Sequence, residues 1–139
     1  MKLVIALMVL ACDELMPPAS RVEVSYAPHL QVAFIAERDS AVRAVDVAND
    51  LELWRFDLPA LDRATDLRVL RFDSNRDGVI DPAAGDRMWI YFGLQRDRSY
   101  VALDATERTR VNVLWRRGPG DLPGIGETWS TPSIEEIER

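Results

Sequence analysis

The sequence predicts an all-β protein built from antiparallel strands. Eight short runs are rich in β-branched and aromatic residues, and several alternate apolar and polar side chains with the period of two that a half-buried strand requires. The runs follow one another closely, without the regular helical segments that parallel strands need between them. We therefore expect one small antiparallel domain from this chain of 139 residues.

The expected elements are spread along the chain after the first 20 residues. The predicted strands are residues 22–26, 31–36, 41–46, 51–56, 68–72, 88–94, 98–103 and 110–116. One short helix is expected over residues 59–67, because Pro59 suits the first turn of a helix. Residues 117–127 (RGPGDLPGIGE) have the glycine and proline content that is typical of a loop.

Composition excludes several classes of function. The net charge of −6 argues against a nucleic-acid-binding protein that relies on a basic patch. Cys12 is the single cysteine, so no disulfide forms within the chain. The single histidine, His29, lies far from Cys12 in sequence, which argues against a structural zinc site and against a Cys-His catalytic pair.

Residues 1–20 have the features of an export signal followed by a linker. Lys2 precedes an apolar run that ends at Ala11, which is too short to span a bilayer but has the length of the apolar part of a signal peptide. Residues 9–12 (VLAC) resemble a bacterial lipobox, in which the cysteine, here Cys12, is lipidated. The alternative is a buried apolar strand that contains Cys12. We expect an exported protein whose folded domain covers residues 21–139, with possible membrane attachment through Cys12.

The chain contains an internal repeat. Residues 34–46 (FIAERDSAVRAVD) resemble residues 92–104 (FGLQRDRSYVALD), and each copy is followed by a strand with a tryptophan, Trp54 or Trp115. The Arg-Asp pairs at 38–39 and 96–97 fall where a hairpin must turn, and Asp46 and Asp104 can accept hydrogen bonds from turn amides. Strand, turn, strand, turn and tryptophan strand make three strands of a β-propeller blade, in which the tryptophans would lie between neighbouring blades.

Residues 72–81 (FDSNRDGVID) carry oxygen ligands at the alternate positions of a calcium-binding loop. The candidate metal ligands are Asp73, Asn75, Asp77, the carbonyl of Val79, and Asp81. Gly78 suits the sharp turn, whereas Ala84 stands where an EF-hand has a bidentate glutamate, and strands are expected on both sides. Three neighbouring carboxylates repel one another without a cation, so we expect a calcium site, with a solvated polar turn as the alternative.

Four stretches resemble the C-terminal β-propeller of the type IV pilus tip and assembly adhesins, the PilC/PilY family. They are AFIAERDSAVRAVDVANDLELWRF, FDSNRDGVIDPAAGDRM, YFGLQRDRSYVALDAT and LPGIGETWSTPSI, and together they cover roughly residues 30–136. The family has a nine-residue calcium loop, Asp-x-Asn-x-Asp-Gly-x-x-Asp, which residues 73–81 match at every defined position. The chain departs from the family at 37–39 and 97–98, where relatives have glycines in the hairpin turns.

The resemblance implies a partial β-propeller of the PQQ-like or PilC type, with about two blades, a calcium-loop insertion and one short helix. It further implies a non-enzymatic calcium-binding module in type IV pilus biogenesis and adhesion, exported to the envelope, pilus or outer surface of a Gram-negative bacterium. The expected partners are minor pilins or a host surface ligand. Two blades do not close a ring, so further blades are expected from another chain unless the sequence is a fragment.

Three other functions remain open at this level. One is an envelope lipoprotein scaffold of PQQ-like repeats that is unrelated to pili, and another is a truncated remnant without function. The third, a quinone-dependent dehydrogenase, would need bound quinone and more blades. No catalytic constellation is recognisable: His29 has no partner in local sequence, and residues 130–131 (Ser-Thr) lack the context of a nucleophile elbow.

Overall fold

The computed structural model describes residues 20–37 and 40–121. Within these ranges the chain forms eight strands: β1 Ser20–Tyr26, β2 Leu30–Ala36, β3 Ala41–Asp46, β4 Leu51–Asp57, β5 Arg68–Phe72, β6 Arg87–Leu94, β7 Ser99–Asp104 and β8 Asn112–Arg117. A single 3-10 turn, Pro82–Ala84, is the helical element of the described residues. The predicted all-β class is confirmed, and every predicted strand is present with ends that shift by two residues or fewer.

The strands form two antiparallel meanders. Sheet A has the order β1-β2-β3-β4 and sheet B the order β5-β6-β7-β8, so neighbours in sequence are neighbours in space. Each sheet therefore has four strands, one more than the repeat had indicated, because β1 and β5 each add a strand before the repeated hairpin. Neither sheet closes on itself among the described residues.

The two sheets share one apolar core. Val32, Phe34 and Ala36 of β2 belong to the same buried cluster as Ile90 and Phe92 of β6. The rings of Phe56 in sheet A and Phe92 in sheet B meet edge to face, with their centroids 5.8 Å apart. The hydroxyl of Tyr26 donates to the carbonyl of Ala105 across the same junction. Strand alternation thus gives each sheet an inner face toward the other sheet and an outer face away from it.

The repeat predicted from the sequence is present in the backbone. A β-bulge interrupts the β3–β4 pairing between Ala44 and Val45, and another interrupts the β7–β8 pairing at the matching step between Ala102 and Leu103. The carboxylate of Asp46 accepts from the amide of Ala48 at 3.0 Å. Asp104 accepts from the amide of Thr106 at 2.9 Å, so both aspartates cap their turns as predicted.

The predicted helix over residues 59–67 is wrong. This segment instead forms a turn at residues 60–61 and an isolated bridge between Ala64 and Leu94, because its polar groups bind the β6–β7 hairpin. The carboxylate of Asp62 accepts from the amides of Arg96 and Asp97 at 2.8 and 3.0 Å. Thr65 exchanges two hydrogen bonds with the backbone of Gly93, and Leu61 has a left-handed φ of 61°. These long-range bonds outweigh the local helix preference of a nine-residue segment.

Several predictions fall on residues outside the described part. The export signal with Cys12, the Arg38-Asp39 turn and the second half of the loop predicted at 117–127 are among them. The Arg96-Asp97 turn is described, and it lies between β6 and β7 as predicted. Within residues 20–37 and 40–121, no helix has both the length and the apolar character that a bilayer crossing demands.

Candidate metal centre

The acidic loop covers residues 73–86 and connects β5 to β6 in sheet B. It brings three carboxylates together: one oxygen each from Asp73, Asp77 and Asp86 lie within 4.8 Å of one another. No other group of three such ligands occurs among the residues that the structure describes. Asp73 is half-buried, Asp77 is exposed and Asp86 is buried, so the group runs from the protein interior to its surface.

Asp73 contributes an oxygen that has no partner among the described residues. Its Oδ2 atom accepts a hydrogen bond from the amide of Gly78 at 2.6 Å, which closes the loop back on its first residue. Its Oδ1 atom is buried and accepts no hydrogen bond from residues 20–37 or 40–121. A buried carboxylate oxygen without a donor is costly, and a cation is the partner that would satisfy it beside two further carboxylates.

The other predicted ligands shape the loop through local hydrogen bonds. Asn75 Oδ1 accepts from the amide of Asp77 at 3.3 Å, and Asp77 Oδ1 accepts from the amide of Val79 at 3.0 Å. Asp81 Oδ1 accepts from the amide of Ala83 at 3.0 Å and caps the 3-10 turn. Asp81 is not in the three-carboxylate group, and the predicted ligand set is therefore brought together only in part.

Asp86 is the residue of the group that sequence reasoning missed. It lies beyond the nine-residue motif, and the chain brings it back through the 3-10 turn and Gly85, whose φ is 85°. Its Oδ1 atom accepts from the amide and the hydroxyl of Ser74, and its Oδ2 atom accepts from the amide of Asp81. The backbone hydrogen bonds from Ser74 and Asp81 hold the pKa of the Asp86 carboxyl below its usual value, which keeps it ionised.

The sequence did contain a weak signal for Asp86. Gly85 and Asp86 follow a proline-containing turn directly before β6, where an aspartate can accept backbone amides. Nothing in the spacing, however, shows that the carboxylate reaches back twelve residues to Ser74.

Two backbone conformations explain the sharp course of the loop. Gly78 has a φ of 81°, in the left-handed region, which confirms the predicted role of this glycine in the turn. Arg76 also has a left-handed φ, of 57°, although it carries a side chain. A Cβ atom added at Gly78 would meet no heavy atom within 4 Å, so the backbone conformation alone requires glycine there.

The loop is anchored to the other sheet through Ile80. This residue lies between Val79 and Asp81, and its side chain is only 2% exposed in the shared core. Its amide donates to the carbonyl of Ser25 at 2.9 Å, and its carbonyl accepts from the amide of Ala27 at 3.2 Å. The candidate metal ligands on either side are therefore attached to a fixed point between the two sheets.

Comparison with known proteins adds no relative. No protein-family model, curated protein or solved structure matches the chain.

Proposed function

We propose that the chain is a non-enzymatic, calcium-binding β-propeller module of a type IV pilus biogenesis and adhesion protein, exported to the envelope of a Gram-negative bacterium. The observation that carries the calcium part is the buried, unpartnered Oδ1 of Asp73 beside the carboxylates of Asp77 and Asp86. The pilus part depends on the resemblance of the sequence to the PilC/PilY family.

The donor set fits calcium. Carboxylates and backbone carbonyls are hard oxygen ligands, which Ca²⁺ and Mg²⁺ prefer over the softer metals. Calcium accepts irregular oxygen geometry, whereas magnesium demands a near-ideal octahedron, and an irregular loop suits calcium better. Asp73 and Asp77 belong both to the motif and to the group of three carboxylates, and Asp86 joins them from outside the motif. Asn75, the carbonyl of Val79 and Asp81 are proposed to complete the site.

A bound ion would neutralise the repulsion among three carboxylates and fix the loop between β5 and β6. The protein's own part is to hold these carboxylates close together through the backbone amides that bind Asp73 and Asp86, and the amides of Ser74 and Asp81 also lower the pKa of the Asp86 carboxyl. Because Ile80 is fixed in the core, order in the loop is transmitted to the contact between the sheets. A structural ion of this kind stabilises a binding module and requires no catalytic group.

The propeller part of the proposal is supported by the arrangement of the strands. Two four-stranded antiparallel meanders pack inner face to inner face, with Trp54 buried between them. Propellers repeat this unit around a central axis. The outer edge of sheet B, with Val113, Leu114 and Trp115 exposed, is where further blades would follow, and minor pilins or a host surface ligand remain the proposed partners.

The proposal is tested in a bacterium that carries the gene beside its pilus genes. We expect a chromosomal Asp77→Asn change to reduce both surface pili and adhesion, while the protein is still exported. The matched control is Asp121→Asn, which changes an exposed aspartate of the turn after β8. Normal pili and adhesion in the Asp77→Asn strain would contradict a role of the ion in this process. Normal pili in a strain that lacks the whole gene would contradict the pilus function itself and favour the unrelated lipoprotein scaffold.

A further inference from the structure

Each sheet has a row of three paired residues, an aromatic residue, an alanine and a tryptophan, across three neighbouring strands. The row lies on the inner face of sheet A but on the outer face of sheet B. On the inner face of sheet A, Phe34 pairs with Ala44, which pairs with Trp54, and the two ring centroids are 5.8 Å apart. In sheet B, the row is Tyr91, Ala102 and Trp115, with ring centroids 5.9 Å apart. The strand pairing thus makes Tyr91, and not Phe92, the structural equivalent of Phe34, which places the second row on the outer face of sheet B.

The equivalent rows differ in what covers them. Sheet B packs on the row of sheet A, and Trp54 is only 7% exposed. Trp115, at the same place in sheet B, is 36% exposed, and no other described element covers it. Trp89 and Phe72 extend this apolar surface across the outer face, with their ring centroids 5.0 Å apart. The outer face of sheet B therefore carries the same aromatic row that is covered by another sheet in sheet A.

The outer face of sheet A is equivalent to the face that does the covering. Because Phe34 corresponds to Tyr91, Ala33 and Ile35 correspond to Ile90 and Phe92, which pack on sheet A. Ala33, Ile35 and Val45 form a separate apolar cluster on this side of sheet A, where they are 0%, 5% and 5% exposed among the charged side chains of the face. An outer face of sheet A placed on an outer face of sheet B would repeat the interface that already joins the two sheets within the chain.

The charges around these two faces are complementary. The aromatic row of sheet B is surrounded by three arginines and two aspartates, and one of the aspartates, Asp121, pairs with Arg117 at 3.8 Å: Arg68, Arg87, Arg117, Asp104 and Asp121. Four carboxylates surround the apolar cluster of sheet A against three arginines: Glu23, Glu37, Glu52, Asp57, Arg21, Arg43 and Arg55. The sheet B face thus has a small excess of positive charge and the sheet A face a small excess of negative charge, so a contact between unlike faces is favoured over a contact between like faces.

We propose that a second copy of this chain packs on the outer face of sheet B through the outer face of its own sheet A. The contact continues the interface between the two sheets, and it joins unlike surfaces, so association is head to tail and leads to rings or open chains. This inference depends on the sheet faces alone and is independent of the ion in the acidic loop.

Sedimentation velocity at rising concentration tests the proposal with the full chain, up to about 0.5 mM, where weak contacts are populated. We expect the wild type to associate, and we expect Trp115→Glu and Arg117→Glu each to weaken association about tenfold or more. Leu61→Glu is the matched control, because Leu61 is 76% exposed and belongs to neither face. Circular dichroism checks that each variant keeps the wild-type β signal.

A mixing experiment tests the head-to-tail direction. Glu52→Arg alters only the sheet A face, and Trp115→Glu alters only the sheet B face. Each variant alone is expected to associate at least about tenfold more weakly than the wild type, whereas their mixture is expected to form dimers of wild-type strength through the one intact pair of faces. Wild-type protein that stays monomeric at the highest concentration would overturn the proposal. Association of Glu52→Arg as strong as that of the wild type would overturn it as well, because the contact would then join two like faces.

Discussion

The amide of Ile80 donates a hydrogen bond to the carbonyl of Ser25 at 2.9 Å, so the acidic loop of sheet B is tied to the first strand of sheet A. The side chain of Ile80 is buried in the core that both sheets share. A loop that carries the candidate metal ligands is thus also part of the contact between the sheets.

Truncation of Ile80 is expected to weaken the whole domain. Ile80→Ala should lower the free energy of unfolding by about 2–5 kcal/mol, because a buried side chain is replaced by a cavity. Leu61→Ala removes a similar side chain that is 76% exposed, and its effect should stay within about 0.5 kcal/mol. Urea denaturation followed by tryptophan fluorescence measures both. Equal effects of the two changes would show that Ile80 does not join the sheets.

Asp86 is expected to matter more for the fold of the loop than Asp81. Asp86→Asn replaces one of two accepting oxygens with a donor and leaves an amide of Ser74 or Asp81 without its partner. Asp81→Asn keeps an oxygen that can still accept from Ala83. In chelator, thermal unfolding should therefore begin at a lower temperature for Asp86→Asn than for Asp81→Asn. The reverse order would contradict the anchoring role of Asp86.

Replacement of Gly78 is expected to destabilise the domain only because of its left-handed backbone conformation. Gly78→Ala should cost about 1–2 kcal/mol, because φ is 81° and alanine disfavours that region. Gly120→Ala is the matched control: an added Cβ also meets no atom within 4 Å there, and Gly120 lacks the positive φ. Chemical denaturation of both variants gives the comparison. A loss at Gly120 as large as that at Gly78 would rule out backbone strain as the cause.

Tyr26 is expected to limit stability at alkaline pH. Burial raises the pKa of its hydroxyl well above the ordinary value, and the charge of Asp104 adds to the shift. Because the folded state holds this proton more tightly than the unfolded state, stability is full below about pH 10 and falls above it, by about 1.4 kcal/mol per pH unit for one group.

The test compares two tyrosine variants. Tyr26→Phe loses the hydrogen bond to Ala105 but should show a flatter fall of stability between pH 10 and 12 than the wild type. Tyr91→Phe removes a half-buried tyrosine whose pKa is also raised by burial, and it should flatten the curve less. A Tyr26→Phe curve with the wild-type slope would contradict the assignment.

Much of the fold could be predicted from local patterns, because strand and turn preferences depend mainly on residues that are close in sequence. Alternation and β-branched content predicted the eight strands, and the aspartate that ends each repeated strand predicted the turns at Asp46 and Asp104. The segment over residues 59–67 was mispredicted because Asp62 and Thr65 bind a hairpin about thirty residues further along the chain. Local propensity carries no information about such a partner.

The candidate site was likewise predictable only where it depends on residues that are close in sequence. Asp73 and Asp77 follow from the motif, since their spacing within a short loop brings them together. Asp86 does not, because its position depends on a 3-10 turn and on hydrogen bonds to Ser74 and Asp81. The alignment of Phe34 with Phe92 was also one residue away from the structural match, because the β2–β3 and β6–β7 pairs differ in register.

The most direct test of the central claim is a calorimetric titration of the chelator-treated chain with calcium, beside a magnesium titration and the variants Asp77→Asn and Asp121→Asn. We expect one calcium site per chain, weaker binding of magnesium, loss of the binding heat in Asp77→Asn and its retention in Asp121→Asn. At a hundredfold excess over the dissociation constant, calcium should also add about 2.7 kcal/mol to the free energy of unfolding. A folded wild-type chain that takes up no calcium, or an Asp77→Asn variant that binds calcium as well as the wild type does, would contradict a calcium site in this loop.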